Sequence, residues 1–293
     1  MSKKVNLHDF MRDLADGIRA KEGTTDLINP QDFRNHIDNL KVPTGDSAET
    51  TLNALIDGTL TEIESDVESV GSYAFYSRAA LTSASFPNAR VLSNGTMAGS
   101  GNYATYLGAF SYCTALTSVS FPNLTSIGTY AFSYCTALTS VSFPNVTSIG
   151  NYAFSSCTAL TSASFPNATS VANNAFNKCY QLTSVIIGTN LTTVATLNNT
   201  NAFNYCFHIL GTVNTTYNPN GLKDGYIYVP LALVESYRTA TNWSTYATQI
   251  MPYVNTVSEL LTIDSTTYDK ACVGTDYVEY SYNGTTWEIY TRE

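Results

Sequence analysis

Charge is what this 293-residue chain has least of. Lys, Arg, Asp and Glu together make up 13% of it, about half the usual share. Between Arg90 and Lys223 only Lys178 is charged. The net charge of −9 argues against nucleic acid, which needs clustered Lys or Arg. Histidine occurs three times, as His8, His36 and His208, each read as a surface or packed residue rather than a base. H-E-x-x-H, G-x-S-x-G and a phosphate-binding glycine loop are all missing. Gly99-Ser100-Gly101 matches no motif well, and Cys206 lies too close in sequence to His208 for a nucleophile and its base. An enzyme is therefore not expected, nor a cofactor or a metal. No apolar run approaches membrane-spanning length. The opening MSKKVNLHDFMRDL has no apolar stretch or small-residue cleavage site. It does not read as a secretory signal, so the chain is expected to be made in a cytosol and to leave by another route.

Ser, Thr, Asn and 21 tyrosines fill the place of the charges, and they recur with a period. Leu116, Leu138, Leu160 and Leu182 are each 22 residues apart, as are Phe110, Phe132, Phe154 and Phe176, and Cys113, Cys135, Cys157 and Cys179. Val119, Val141, Ala163 and Val185 follow three residues after each Leu, and Phe121, Phe143, Phe165 and Ile187 two later. An earlier copy begins at Leu81, with Arg78 in place of Cys, and a later one centres on Phe203 and Cys206. L-x-x-V-x-F at this period is the leucine-rich-repeat pattern, an α/β solenoid of a short strand and a return segment stacked into a parallel ladder. Each unit buries its apolar face only against its neighbours.

At an inward position the cysteines form a ladder of small apolar side chains. Their spacing is that of the repeat, so buried free thiols are expected rather than disulfides or a metal site. Outward Thr117, Ser118, Ser120, Thr139, Ser140 and Ser142 form hydroxyl ladders. Tyr73, Tyr130 and Tyr152 share one register, Tyr112 and Tyr134 another. Hydroxyls with aromatic faces suit a neutral sugar or an uncharged protein partner; duplication of one Ser/Thr-rich unit gives the same pattern without a ligand. The sequons at Asn123, Asn145 and Asn167 are generated by the repeat.

Two copies break the period. The step from Phe75 to Phe110 is 35, an insertion of 13 at roughly Ser93 to Thr105, and that from Phe176 to Phe203 is 27, adding five near Ala195 to Asn199. Both are placed between the Ile/Leu position and the Phe, which predicts two loops on one edge, either marking a binding side or drifting neutrally.

Residues 1–42 read as a helical hairpin. Asn6 caps a helix with Leu7, Phe10, Met11, Leu14 and Ile18 on one face, and Asn29-Pro30 starts a second with Phe33, Ile37 and Leu40. Such a hairpin cannot bury its stripe alone, so it packs on another chain or on the solenoid. The acidic stretch 46–68 matches no calcium loop and reads as a linker and cap. At the other end, Asn283-Gly284 between alternating runs predicts a type I′ hairpin that pairs Tyr280 with Trp287 and Val278 with Ile289 on one face. Leu260 to Ile263 and Thr267 to Cys272 are further candidate strands. The expected segments are therefore the hairpin at 1–42, a linker at 43–58, the solenoid at 59–222, a terminal strand and helical lid at 223–252, and a small β module at 253–293.

The unit TSIGNYAFSSCTALTSVSFPNV resembles the BspA-like leucine-rich repeats of gut and oral bacteria and their phages, over roughly Thr59 to Pro252. The closing IYVPLALVESYRTATNWSTYATQI resembles that family's terminal strand and lid. LADGIRAKEGTTDLINPQDFRNHIDNL resembles the N-terminal segment of phage tail and minor structural proteins of gut Firmicutes. That second likeness implies virion attachment or oligomerisation through residues 1–42, with a homo-oligomer expected and a trimer by resemblance to phage fibres. Together they imply a phage tail-associated protein that recognises a host-surface glycan or protein, located in the virion. A cell-surface adhesin of the same repeat family and a structural spacer are the alternatives. The ligand is expected on the edge carrying the first insertion, against Tyr103, Tyr106, Tyr112, Tyr130, Tyr134 and Tyr152. Four repeats there span about 20 Å.

Overall fold

In the computed structural model the described residues are 60–290, without 66, 99–104, 191–194, 198–200, 211–214, 217–218, 220–222 and 275–277. The expected helical hairpin at 1–42, the linker at 43–58 and most of the acidic stretch lie outside them.

Each 22-residue unit makes one coil of a parallel solenoid. Its first strand, such as Ser140–Ser142 or Ser162–Phe165, turns a corner into a two-residue second strand, Ser148–Ile149 or Ser170–Val171. Proline sets the corner. In Phe143-Pro144-Asn145-Val146 the Val146 N–H donates to the Phe143 carbonyl at 3.3 Å, a β-turn with Pro at the position that wants its fixed φ. Strand pairing keeps the repeat in step: Ser162 faces Ser184 and Ser140 in one ladder, Ser148 faces Ser170 and Ser126 in the other. The return segment forms a third ladder from alternate N–H groups. Those of Tyr130, Phe132 and Tyr134 donate to the carbonyls of Asn151, Ala153 and Ser155 in the next coil, while Ala131, Ser133 and Cys135 close turns within their own. Three sides of the coil are therefore cross-linked by backbone hydrogen bonds, which is what buried polar backbone requires, except that the first-strand ladder is interrupted between Ser118–Ser120 and Ser140–Ser142.

The core is two columns of phenylalanine. Phe75, Phe110, Phe132, Phe154, Phe176 and Phe203 stack at successive centroid distances of 5.0, 5.4, 5.4, 5.4 and 5.3 Å. Phe86, Phe121, Phe143 and Phe165 form the second column. Leu116, Leu138, Leu160 and Leu182 are fully buried beside them.

The cysteines are free and buried, as their register predicts. Each ladder thiol also donates a hydrogen bond to a phenylalanine carbonyl of the preceding coil: Cys113 to Phe75, Cys135 to Phe110, Cys157 to Phe132, Cys179 to Phe154 and Cys206 to Phe176, at 3.0 to 3.2 Å. A hydroxyl at Cys135 would thus find a partner. Burial pushes the Cys113 and Cys157 thiols up to about 12 from the usual value of roughly 8.5. Below that lower value the thiols are protonated in both states. Above it the unfolded chain loses thiol protons while the folded chain keeps them, so stability should fall as pH rises through this window. Thiol titration of the native protein at neutral pH should label few of the six cysteines, and denaturant should expose all of them. Native thiols that react as fast as denatured ones would contradict the buried ladder.

The far end of the coil stack is closed by side chains. The last second strand, Thr196–Leu197, has no further coil to pair with. Ala195 N–H donates to the Tyr237 hydroxyl at 2.9 Å, Trp243 Nε1 donates to the Ala195 carbonyl at 2.6 Å, and Asn242 Nδ2 donates to the Leu197 carbonyl at 2.7 Å. Tyr246 meets Phe203 edge-on at 5.2 Å, covering the end of the phenylalanine column. These residues come from the helix Val234–Thr239 and the 3-10 turn Ser244–Gln249 with the residues between, which form a lid over the last coil.

Three expectations are corrected. The second insertion is not a loop on the same edge as the first. Ser162 pairs with Ser184, a step of 22, but Ser170 pairs with Thr196, a step of 26. Four of the five extra residues therefore precede Thr196, between the two strands of the coil, because Leu197 takes the inward position. The first insertion does follow its second strand, Val91–Leu92, and forms an antiparallel hairpin of Thr96–Ala98 with Thr105–Leu107. Leu260 to Ile263 is not a strand: Val257–Leu260 is a short helix, with Thr256 Oγ1 accepting from Glu259 N–H and the Glu259 carboxylate from Asn255 N–H. Thr256 and Glu259 thus make a capping box displaced by one donor. The C-terminal hairpin pairs Tyr280 with Ile289 and Tyr282 with Trp287, two residues out from the expected register. Asn283 Oδ1 accepts from both Thr285 and Thr286 N–H at 2.9 Å, which holds a four-residue turn in place of a two-residue one. A shift of two preserves the face, so Tyr280 and Trp287 still pack together on the core. Lys270–Val273 pairs in parallel with Ile250–Val254, so these strands continue the solenoid sheet.

Candidate binding surface

The return segments put the tyrosines on one side of the solenoid in a demanding backbone. Tyr73, Tyr112, Tyr130, Tyr134 and Tyr152 have φ between 55° and 66°, left-handed values that disfavour a side chain with a Cβ. Ser156, Asn174, Lys178 and Tyr205 at equivalent positions share it. The turn ladder, not the tyrosine, imposes the conformation.

Stacking brings four of the six predicted ligand residues together in pairs. Tyr112 and Tyr134 are 4.5 Å apart and nearly parallel, and Tyr130 and Tyr152 are 5.3 Å apart. Within each pair the ring faces meet each other. Tyr103 lies outside the described residues. Tyr106 falls in the strand Thr105–Leu107 of the insertion hairpin. Tyr76, which packs edge-on against Tyr112 at 5.7 Å, and half-exposed Tyr205 were missed in the sequence. The position before each cysteine was the available signal for Tyr205.

Many of the hydroxyl-ladder groups are engaged in the scaffold. Thr117, Thr161 and Thr183 donate through Oγ1 to the carbonyls of Thr82, Thr139 and Thr161 in the preceding coil. Thr147 and Thr169 do so in the second ladder. The sequon asparagines Asn123, Asn145 and Asn167 each donate to a proline carbonyl one coil back at 2.7 Å. Outward serines on the first strands differ. Ser118, Ser120, Ser140 and Ser142 are exposed.

Further along, that outward face is covered. Ile186, Tyr228, Met251, Tyr253 and Cys272 form a second apolar cluster. Where serines give way to this cluster, the C-terminal hairpin overhangs the face and encloses an open cleft of about 690 Å³. Its floor includes Ser140, Ser142, Ser162, Ser164 and Ser184, and its wall Val278, Glu279, Ile289 and Tyr290. The raised thiol pKa values described above are the opposite of what a nucleophilic cysteine needs. No group of three or more His, Cys, Asp or Glu suited to a metal ion occurs among the described residues.

A family model matches the repeat. The family model of the BspA type leucine rich repeat region matches six copies, over residues 52–105 and 104–218. No curated protein sequence matches the chain. Among solved structures, a leucine rich cell surface protein from Faecalibacterium prausnitzii is 26% identical over 42% of this chain and 30% of its own, with a TM-score of 0.36. The T. pallidum leucine rich repeat protein TpLRR is 28% identical over 43% of this chain and 55% of its own, at 0.36. The pneumococcal vaccine antigen PcpA is 15% identical over 65% of this chain and 42% of its own, at 0.39. The chain thus spans between about a third and about half of these relatives. With more than half of its length matched by the repeat model and a solenoid of the corresponding period, the chain belongs to the BspA-type leucine-rich-repeat family.

Proposed function

We propose that the chain is a non-catalytic recognition protein of a phage or prophage tail whose solenoid binds a neutral ligand, a glycan, on a host-cell surface. The observation that carries this reading is the repeat surface itself: hydroxyls, amides and paired tyrosines, with Lys178 as the only charge between Arg90 and Lys223. Such a surface supplies hydrogen bonds and aromatic contact with almost no Coulomb attraction. Residues 1–42 attach the protein to the tail and assemble it as a homo-oligomer, a trimer. The second reading is a bacterial cell-surface adhesin, favoured by membership of the BspA-type family.

One experiment tests the reading. The full chain and residues 43–293 are each measured for host-cell binding at low and high salt, with their masses by light scattering. Per-chain binding should change little with salt, should survive truncation, and should fall in Tyr112→Ala and Tyr134→Ala. The mass should drop to that of a monomer on truncation. Binding that collapses in salt would contradict a neutral ligand, and an unchanged mass would contradict assembly through the N-terminal segment. Attachment to isolated tails by the full chain, but not by residues 43–293, separates the virion reading from the adhesin.

A further inference from the structure

We propose that the cleft between the outward serine rows and the C-terminal hairpin is an oligosaccharide site that takes a neutral, hydroxyl-rich chain; this rests on the recognition of a neutral surface glycan proposed above, and gives it a place distinct from the tyrosine edge. The floor is a register product. In Ser162–Phe165, Ala163 and Phe165 enter the core, so Ser162 and Ser164 face outward. Pairing then aligns Ser140, Ser162 and Ser184 in one row, and Ser142, Ser164 and Ile186 in the next. Strands spaced about 4.8 Å apart repeat the hydroxyls across the sheet, along the solenoid axis. A polymer lying along that axis meets the hydroxyl pairs Ser140/Ser142 and Ser162/Ser164, then Ser184 beside the apolar Ile186.

Ser164 is the second, independent observation. It is only 5% exposed, it lines the cleft, and its hydroxyl has no hydrogen-bond partner. Buried polar groups are otherwise satisfied as a rule, and the neighbouring threonine hydroxyls are satisfied by backbone carbonyls. A ligand hydroxyl in the cleft would supply the partner that the scaffold does not.

The other surfaces select the class of ligand. Ile186, Val278 and Ile289 are apolar walls, and Gln181 and Tyr290 add amide and aromatic contact. That mixture matches a sugar ring, with its apolar C–H faces and hydroxyl rim. Asp224 and Glu279 are the charged residues of the lining, and both are acidic. Sialylated, uronic or phosphorylated polymers would meet like charge there. The volume lies within the range of small-molecule pockets, room for a short stretch of chain. The hairpin is anchored for such a role: Tyr280 and Trp287 pack on the core, and Lys270 lies over the Tyr290 ring at 3.4 Å.

The test is an array of neutral, amino-bearing and sialylated oligosaccharides probed with the full chain, followed by calorimetry on the tightest neutral binder. Ser164→Leu fills the floor. Ser140→Arg, at an exposed position, obstructs the cleft without a buried change and covers the case in which Ser164→Leu does not fold. Both should weaken binding by about tenfold or more with unchanged thermal melting for Ser140→Arg, while Leu261→Ala, an exposed change outside the cleft, leaves the affinity within about twofold. Retained binding in Ser140→Arg together with loss in Tyr134→Ala would overturn the cleft and leave the recognition reading on the tyrosine edge. A preference for sialylated chains would overturn the ligand class. Host-cell binding with no oligosaccharide bound would overturn the oligosaccharide assignment, and binding of neither would overturn both readings.

Discussion

Phe154→Ala should destabilise the protein by about 3–5 kcal/mol and split its unfolding into two steps. Phe154 is fully buried and stacks on Phe132 and Phe176, each at 5.4 Å. It also touches both neighbours of the second column, Phe143 at 6.2 Å and Phe165 at 5.8 Å. Truncation therefore weakens the coupling on two sides of one coil. In a solenoid each coil is held only by its neighbours, so a weak central interface separates the stack into two blocks. Both tryptophans, Trp243 and Trp287, lie on the C-terminal side. Tryptophan fluorescence should thus follow the C-terminal block while far-ultraviolet circular dichroism follows both. Urea unfolding by the two probes should diverge in the variant. Coincident curves with a loss below about 1 kcal/mol would contradict the column as the main source of coupling.

Trp243→Ala should cost a similar amount, about 3–5 kcal/mol, through a different cause. Trp243 is buried, donates to the Ala195 carbonyl and packs edge-on against Tyr237 at 5.1 Å. Removing it opens a cavity and leaves a terminal strand carbonyl without its donor. The end of a solenoid is where pairing has no natural continuation, and exposed strand edges invite association with other chains. The variant should therefore both melt lower and self-associate on heating, read by calorimetry and light scattering. Trp243→Phe, which keeps most of the volume but lacks the N–H, should recover much of the stability. If the alanine variant melts as the parent does, the lid is not the closing element.

The repeat was legible because every coil solves the same packing problem. Phe154 and Cys157 recur at fixed spacing since each must stack on its copy, and a period is visible in one dimension. The hydroxyl ladders were visible too, but their role was not. That Thr161 donates to the Thr139 carbonyl, or Asn145 to that of Pro122, depends on how one coil sits above another. The tyrosine pairs were predicted by register and found in it, whereas their partly occupied faces were not foreseeable. At the second insertion, counting from phenylalanine to phenylalanine could not tell on which side of Thr196–Leu197 the extra residues fell. Strand pairing decided that. The C-terminal turn departs from the Asn-Gly expectation for a local reason: the Asn283 side chain accepts two backbone N–H groups and so holds a longer turn.

By itself, the sequence determined the period, the inward columns, the reduced cysteines and the lack of charge, because each is a property of a residue and of its copy 22 positions on. Only the tertiary structure decided how the repeated stack ends and what its outward face meets. Tyr237, Asn242 and Trp243 close the last strand, and the C-terminal hairpin overhangs the serine rows and leaves Ser164 buried without a partner. These contacts join residues from about 40 to more than 100 positions apart. No periodicity links those positions, so their meeting depends on the three-dimensional path of the chain.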